Sequence, residues 1–314
     1  MRAALAGIRP GAVVVALSGG ADSLALAAAT AFEAPKRGMT LISATVDHGL
    51  QPGSVEVAEA AARQAEELGM DARIERVDVG DDGGPEAAAR AARYAALSRV
   101  AREADAAALL VAHTLDDQAE TVLLGLARGS GTTSLQGMAA ASTLDGVPLL
   151  RPFLALPRAA TRAACAAQGL EPWDDPQNTD PSYARVRVRE RVLPVLEAEL
   201  GPGIAEALAR TAEQAREDAA AFAEMVDETI EEIVEHAEAG IAVSVPALAA
   251  NPAALRNRII RHVVAAEFGQ SLTRTQTVEV ARLVTDWTGQ GPIDLPGCTA
   301  RRVGARIVFA ASAR

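Results

Sequence analysis

The sequence predicts an α/β protein: a parallel, Rossmann-like sheet with helices on both faces, followed by a smaller, mostly helical C-terminal domain. Three observations carry this expectation. Short β-branched or aliphatic runs alternate with longer Ala-rich stretches through the first 150 residues, the pattern of strand–helix–strand units in a parallel sheet. A glycine-rich turn joins the first apolar run directly to the first helical stretch. Beyond Ile204 the apolar spacing becomes that of one long helix.

The strands are expected at residues 12–17, 41–46, 74–79, 109–112 and 147–150. The first is apolar throughout, as a strand covered on both faces must be. Between them, residues 24–32, 54–68, 85–104 and 116–127 are long enough for crossover helices, and Pro85 suits a first helical turn. Residues 151–199 form a connection rich in proline and arginine, with Pro152, Pro157, Pro172, Pro176, Pro181 and Pro194. A long helix follows from Ile204 to His236, with Ile204, Leu208, Phe222, Met225 and Ile233 apolar along it. Pro296-Gly297 marks a turn, and residues 306–310 read as a strand. A boundary near 195–205 divides the chain into residues 1–200 and 201–314.

The net charge of −11 is local. Residues 197–238 hold 13 acidic side chains against Arg210 and Arg216, and elsewhere 28 acids balance 28 bases. The acidity therefore belongs to one solvated helical segment and does not exclude a polyanionic partner for the remainder. Cys165 and Cys298 stand far apart with no C-x-x-C, which argues against a disulfide framework, a zinc site or an iron–sulfur cluster. Residues 12–17 are too short for a signal-peptide core or a membrane span. A cytoplasmic location with no membrane partner is expected.

The sharpest motif is Ser18-Gly19-Gly20-Ala21-Asp22-Ser23, between the first strand and the first helix. Such a turn aims backbone N–H groups and the positive helix end at one point, which suits a phosphate. The glycines admit close approach of oxygen atoms, and Ser18 and Ser23 add hydroxyl donors. The hexad lacks the Lys-Ser/Thr pair of a Walker A loop. Asp47 ends the second strand, and Asp116, Asp117 and Glu120 cluster where the fourth strand opens a helix. These carboxylates can hold Mg²⁺ against phosphates or grip an ammonium. Adjacent residues at a helix start point about 100° apart, so one of Asp116 and Asp117 is expected to act and the other to cap, with Asp117 favoured to act. Arg90 and Arg93 share a helix face and can neutralise phosphates. Arg185, Arg187, Arg189 and Arg191 would line one face of a strand. The spacing of Leu193, Leu196 and Leu200 favours a helix instead, pairing Arg185 with Arg189 and Arg187 with Arg191 on opposite faces. One pair is then expected to bind RNA and the other to make internal salt bridges.

The hexad resembles the pyrophosphate-binding loop of the N-type ATP pyrophosphatases, the PP-loop superfamily. Three further segments narrow the resemblance: Val46-Asp47-His48-Gly49-Leu50, the Ala/Arg-rich residues 86–97, and Ala112-His113-Thr114-Leu115-Asp116-Asp117-Gln118-Ala119-Glu120-Thr121. With residues 123–131, Trp173-Asp174-Asp175-Pro176-Gln177-Asn178, the arginines of 185–191 and Leu193-Pro194, they look like the tRNA(Ile)-lysidine synthetases over about residues 12–200. The chain departs from that pattern at Gln51 and Thr114, where the family usually has arginine and histidine, and near Gly125, where it has arginine.

The resemblance implies a PP-loop ATPase fold in residues 1–200 and a tRNA-positioning domain in 201–314. It implies ATP-dependent ligation of L-lysine to the wobble cytidine of tRNA(Ile), with Mg²⁺ as cofactor and a homodimer as a possible assembly. ATP would be held by Ser18, Gly19, Gly20, Ala21, Asp22 and Ser23, with Asp22, Asp47, Arg93 and Asp117 catalytic. Asp116, Asp117 and Glu120 would take lysine or metal, and the four arginines of 185–191 would face the tRNA. Two readings stand beside it: a tRNA thiolase or other PP-loop ATP pyrophosphatase, and a non-catalytic nucleotide- or RNA-binding module.

Overall fold

The computed structural model describes residues 1–49, 51, 53–80, 84–129, 131–237 and 240–312. Leu50 and Ser130, which belong to the motifs above, lie outside the described residues. The chain forms two compact units, Met1–Ala215 and Arg216–Arg314.

In the first unit β1 (Ala12–Ala16) leads to α1 (Ala21–Glu33), β2 (Thr40–Asp47) to α2 (Ser54–Glu67), β3 (Asp71–Arg76) to α3 (Pro85–Glu103), and β4 (Ala108–Leu110) to α4 (Leu115–Ala127). The short α5 (Thr132–Leu135) precedes a hairpin of β5 (Ala141–Leu144) and β6 (Val147–Leu150), and α6 (Arg158–Gln168) follows. Helix α7 (Ala184–Arg187) passes through a π turn at Val188–Val192 into α8 (Leu193–Leu200). The sheet order is β3-β2-β1-β4-β6-β5, parallel except for β5 against β6.

Strand β1 organises this unit. Val13, Val15 and Leu17 face one layer with Leu24 and Leu26 of α1, Ala61 and Ala65 of α2, and Cys165 of α6. Val14 faces the opposite layer with Ile42, Leu109, and Leu97, Val100 and Ala101 of α3. Val13, Val14 and Val15 are all fully buried, each worth about 1.5–3 kcal/mol. From β1 the chain moves outward to β2 and β3, and α3 returns it to β4 on the other side of β1. The strand order reverses between β1 and β4, which opens a crevice at their carboxyl ends where ligands bind in sheets of this kind.

Two strands of this unit depart from expectation. Strand β3 lies at Asp71–Arg76 rather than 74–79, because pairing with Ile42–Asp47 sets its register. As an edge strand it tolerates the polar residues that the apolar pattern avoids. Strand β5 was not foreseen. Its signal is Asp145-Gly146, whose positive φ values of 46° and 86° make the tight turn into β6.

The second unit begins within α9 (Ile204–Ile233). After β7 (Val234–Ala237) and β8 (Gly240–Ser244) come α10 (Val245–Ala250), α11 (Ala253–Phe268) and α12 (Arg274–Thr285), then β9 (Ile293–Leu295), β10 (Cys298–Val303) and β11 (Arg306–Ala311). The strands make an antiparallel sheet, β7-β8-β11-β10-β9, over a core that includes Ile259, Ile260, Leu283, Cys298, Ile307 and Phe309. The long helix stops at Ile233, and the residues expected to extend it to 236 are in β7. Sheet is thus a larger part of this unit than the one strand read at 306–310, since short strands completed by distant partners leave little periodicity.

The structure also accounts for Gly125. A Cβ there would collide with the backbone carbonyl of Ser134, so α4 and α5 touch through the missing side chain. Gly125→Ala is expected to lower stability by about 2 kcal/mol through overpacking, read as a drop in denaturation midpoint. An unchanged midpoint would mean that α5 gives way freely.

Candidate active site

The hexad folds as a compact loop after β1. The Ser18 N–H donates to Ser23 Oγ at 3.1 Å, and the Ser23 hydroxyl donates to Gly20 O at 2.9 Å. Ser23 is therefore buried and shapes the loop, whereas Ser18 is exposed. Gly19 has φ +82°, a region costly to a side chain, and its oxygen accepts the Trp173 N–H at 2.9 Å. Helix α1 starts at Ala21 with no side-chain cap. Its first N–H groups are open, and the positive helix end adds to them, which makes an anion site. A cavity of about 210 Å³ adjoins the loop, lined by residues including Gly19, Val57, Ala61, Gln64 and Trp173.

Beside the loop a carboxylate cluster is braced by arginines. Arg158, the first residue of α6, reaches three acids: Asp22 Oδ2 at 3.4 Å, Asp117 Oδ1 at 2.9 Å and Glu120 Oε1 at 3.5 Å. Its backbone N–H donates to Asp116 Oδ2 at 2.7 Å. Glu120 is fully buried and receives Arg189 in a two-pronged contact of 2.7 and 3.1 Å, with Arg185 Nε at 3.5 Å. Asp117 Oδ2 accepts from the Thr114 N–H and hydroxyl at 2.8 and 2.9 Å, while the Thr114 oxygen caps the Asp117 N–H. Three of the four carboxylates thus meet three guanidinium groups, and Asp116, held by a backbone N–H, is the one left without a cationic side chain in contact among the described residues.

The protonation tendencies follow from that balance. Burial disfavours the charged Asp117, but Arg158 and the two Thr114 donors outweigh it and hold the carboxyl below its usual range. Asp22 goes the other way: burial and the neighbouring Asp117 charge outweigh the Thr161 hydroxyl and Arg158, raising it. Burial lowers Arg158, yet the surrounding acids raise it overall.

On the side of the crevice lined by α3 the charge is reversed. Arg90 and Arg93 lie 4.9 and 5.5 Å from the Tyr94 ring centre. His113, at the end of β4, is pushed down to about 4, first by burial and then by Arg151, Arg93 and Arg90 against the pull of Asp117. His48 is lowered by burial and by Arg93. Asp47 closes the turn after β2: its Oδ1 accepts the Gly49 N–H at 3.0 Å and Oδ2 lies 3.8 Å from Arg76.

The structure therefore joins Asp22, Asp116, Asp117 and Glu120 with Arg185 and Arg189, and places Arg93 among cations on the α3 side. Asp47 engages its own turn. Asp116 and Asp117 do not divide the work as expected, since Asp117 both caps its own helix and meets Arg158, while Asp116 caps α6. The arginines of 185–191 are helical, and Arg185 and Arg189 indeed share a face. Their partner is Glu120 of α4. Arg187 donates to the carbonyls of Pro181 and Ser182, both at 2.7 Å, and Arg191 is exposed. Sequence reasoning missed Arg158. It lies within the Arg-rich connection, and only Pro157 before it hinted at a helix start.

Comparison with known proteins gives a consistent result. Residues 3–196 match the family described as PP-loop domain, and residues 244–308 the one described as TilS substrate binding domain. The tRNA(Ile)-lysidine synthase of Leifsonia xyli subsp. xyli is 61% identical over 96% of this chain and 91% of its own. Those of Streptomyces coelicolor and Mycobacterium bovis are 51% and 48% identical, over 95% and 94% of this chain and 84% and 86% of theirs. Among solved structures, the U34-tRNA thiolase NcsA from Methanococcus maripaludis with its [4Fe-4S] cluster is 22% identical with a TM-score of 0.58. It covers 68% of this chain, which covers 76% of it. That likeness speaks for the fold alone.

Arg158→Ala strands Asp22, leaves Asp117 and Glu120 to Arg189 and Arg185, and is expected to cost about 3 kcal/mol of stability, as when one partner of a buried ion pair is removed. Arg158→Lys should recover only part, because one ammonium lacks the planar fork that reaches several acids. Urea denaturation of both variants measures this. A loss below about 0.5 kcal/mol in the alanine variant, the size of an ordinary surface change, would remove Arg158 as the brace.

Proposed function

The chain belongs to the tRNA(Ile)-lysidine synthase family, and from that premise we propose that it ligates L-lysine to C2 of the wobble cytidine of a tRNA(Ile) with a CAU anticodon. ATP is the co-substrate. The observation that carries this reading is the uncapped start of α1 behind the Ser18–Ser23 loop, set beside a carboxylate cluster with one uncompensated negative charge. The loop takes the phosphates, and the cluster takes a cation.

In the proposed reaction the cytidine C2 oxygen attacks the ATP α phosphorus, and the bond to the pyrophosphate oxygen breaks. The open N–H groups of Ala21, Asp22 and Ser23 and the Ser18 hydroxyl stabilise the charge gathering on pyrophosphate. The ε-amine of lysine then attacks C2, loses a proton, and AMP leaves with the oxygen. Adenylation thus divides a difficult displacement into two easier ones. Asp117 and Glu120 orient the lysine ammonium, while Arg158, Arg185 and Arg189 hold those carboxylates in place. Arg93 faces the nucleotide phosphates from the α3 side, and Asp47 acts by holding the turn after β2.

Mg²⁺ fits this donor set as a companion of ATP. Among the described residues no group of three or more His, Cys, Asp or Glu is arranged to hold a metal. Mg²⁺ commonly takes one or two carboxylates and completes its shell with phosphate oxygens and water. Asp22 and Asp117, close enough for one charge to raise the other's pKa, would hold it, and it would supply charge neutralisation at the phosphates.

Residues 201–314 would position the tRNA, and exposed Arg191 would reach its backbone. No helix among the described residues is long and apolar enough to cross a membrane, and we place the reaction in the cytoplasm. A thiolase of the cluster-dependent kind is disfavoured, since Cys165 and Cys298 are both buried and cannot supply a four-thiolate cluster.

Mass spectrometry of tRNA(Ile) after incubation with the protein, ATP, Mg²⁺ and labelled lysine tests the whole reading: a labelled lysidine supports it, and sulfur incorporation or unchanged tRNA overturns it. Ser18→Ala and Asp22→Ala should each slow pyrophosphate release by on the order of 100-fold, with Ser18→Ala leaving the melting temperature unchanged. Wild-type release rates in both would remove the loop from the reaction.

Because the base is adenylated first, pyrophosphate release is expected to need tRNA but not lysine. Full-rate release from ATP and lysine without tRNA would mean that the amino acid is activated instead.

A further inference from the structure

We propose that Thr161 is a positioning residue for the reaction: from the first turn of α6 its hydroxyl fixes one oxygen of Asp22 while Arg158 holds the other, which locks the carboxylate in a single orientation beside the Ser18–Ser23 loop. The proposal rests on the role given to Asp22 in the proposed function, and its test separates the two.

Asp22 is the second residue of α1. An acid in a first helical turn is ordinarily drawn to the free N–H groups of its own helix. Here both oxygens are taken up by α6 instead: Oδ1 accepts the Thr161 hydroxyl, and Oδ2 lies 3.4 Å from Arg158 Nε. The two donors are three residues apart and share one face of that helix. A carboxylate gripped at one oxygen still swings about its side-chain bonds. Gripped at both by one rigid helix, it does not.

The hydroxyl does not need Asp22 for its own sake. Thr161 is 2% exposed, and its oxygen also lies 2.7 Å from the Arg158 carbonyl, the local bond that satisfies a threonine inside a helix. A hydroxyl carries one proton to donate. Between a carbonyl and a carboxylate, the charge-assisted bond is roughly twice as strong, so the proton points to Asp22. The contact serves the acid rather than the threonine.

The same face of α6 also holds the loop. Cys165, four residues beyond Thr161, donates its thiol to Ala21 O at 3.3 Å, and past the helix the Trp173 N–H donates to Gly19 O at 2.9 Å. Cys165 packs in one core layer with Leu24 and Leu26 of α1. Two carbonyls of the loop and both oxygens of Asp22 thus accept from residues 158–173. The C=O and N–H of a trans peptide point in opposite directions, so the N–H groups of Gly20 and Asp22 are turned away from this support and toward an anion.

The grip prepares Asp22 for the metal that accompanies ATP. Mg²⁺ demands near-ideal octahedral geometry. A fixed carboxylate offers it a ready ligand, whereas a free one must first be immobilised at an entropic cost. Removing a partner that orients a metal ligand typically lowers metal affinity or activity by about 10- to 100-fold.

The test measures binding of α,β-methylene-ATP to the full chain with and without Mg²⁺, together with pyrophosphate release in the presence of tRNA. Thr161→Val removes the hydroxyl and keeps the shape, and Thr161→Ser returns a hydroxyl on a smaller side chain. Thr161→Val is expected to lower analogue affinity about 10-fold when Mg²⁺ is present and to leave it unchanged when Mg²⁺ is absent. The kcat of pyrophosphate release falls by a similar factor, with KM for tRNA unchanged. Thr161→Ser recovers most of both. Should the valine variant not fold, Thr161→Ala, which only removes atoms, carries the same comparison with serine. An equal loss of affinity with and without Mg²⁺ makes Thr161 a support of the loop's shape and overturns the proposal. So does a fall in melting temperature at wild-type affinities, or a serine variant no better than the valine one. Should wild-type protein yield no lysidine while the Mg²⁺-dependent difference between the valine and serine variants persists, the proposed reaction falls and the positioning role stands.

Discussion

Like charges gathered at the ends of parallel strands must be held apart and paired, and Arg158 is where this protein meets that constraint. Asp22 comes from α1, Asp117 and Glu120 from α4, and Arg158 from α6. Without a cation among them, three acids would crowd a partly buried crevice, and burying unpaired charge is among the costliest things a fold can do. One guanidinium, half-shielded and forked, ties three separate helices to a common point. Its backbone N–H, held by Asp116, also secures the start of its own helix. The site and the packing of this unit thus depend on the same side chain.

The pairing is deliberately incomplete in electrostatic terms. Arg185 and Arg189 complete the shell around Glu120, yet the acids still exceed the bases by one, and the Asp22 carboxyl is raised, first by burial and then by the Asp117 charge. A cationic substrate or metal entering the cluster would relieve it. Across the crevice the excess has the opposite sign, and there burial, with the arginine neighbours adding to it, lowers the pKa of His48 and His113. A reaction that joins a polyanionic nucleotide, a polyanionic RNA and a cationic amine needs both kinds of surface within reach of one atom. The acids are supplied by α1 and α4 and the basic side chains of Arg90 and Arg93 by α3.

The overall acidity of the chain has no part in that arrangement. It is concentrated in residues 197–238, most of which lie in α9. A pI near 5.0 is accordingly a poor guide to the sign of the functional surface, which is set by a few residues whose neighbours are far away in sequence.

Sequence alone determined the local matters. The apolar run of β1 and the Ala-rich crossovers state a parallel α/β sheet through periodicity, and Ser18–Ser23 states a phosphate loop because glycine, a strand end and a helix start are contiguous. Thr114 and Asp117, three residues apart, form a capping box that depends only on spacing. What tertiary structure decided is what contiguity cannot express. Register placed β3 three residues from its apparent position, and distant partners turned isolated apolar runs into the second sheet. Long-range electrostatics brought Arg158 to acids more than 35 residues away, turned Arg185 and Arg189 toward Glu120, and the fold assembled Arg90 and Arg93 of α3 with Arg151, the residue after β6. Charges on separate helices act through distance in space, and only the folded chain sets that distance.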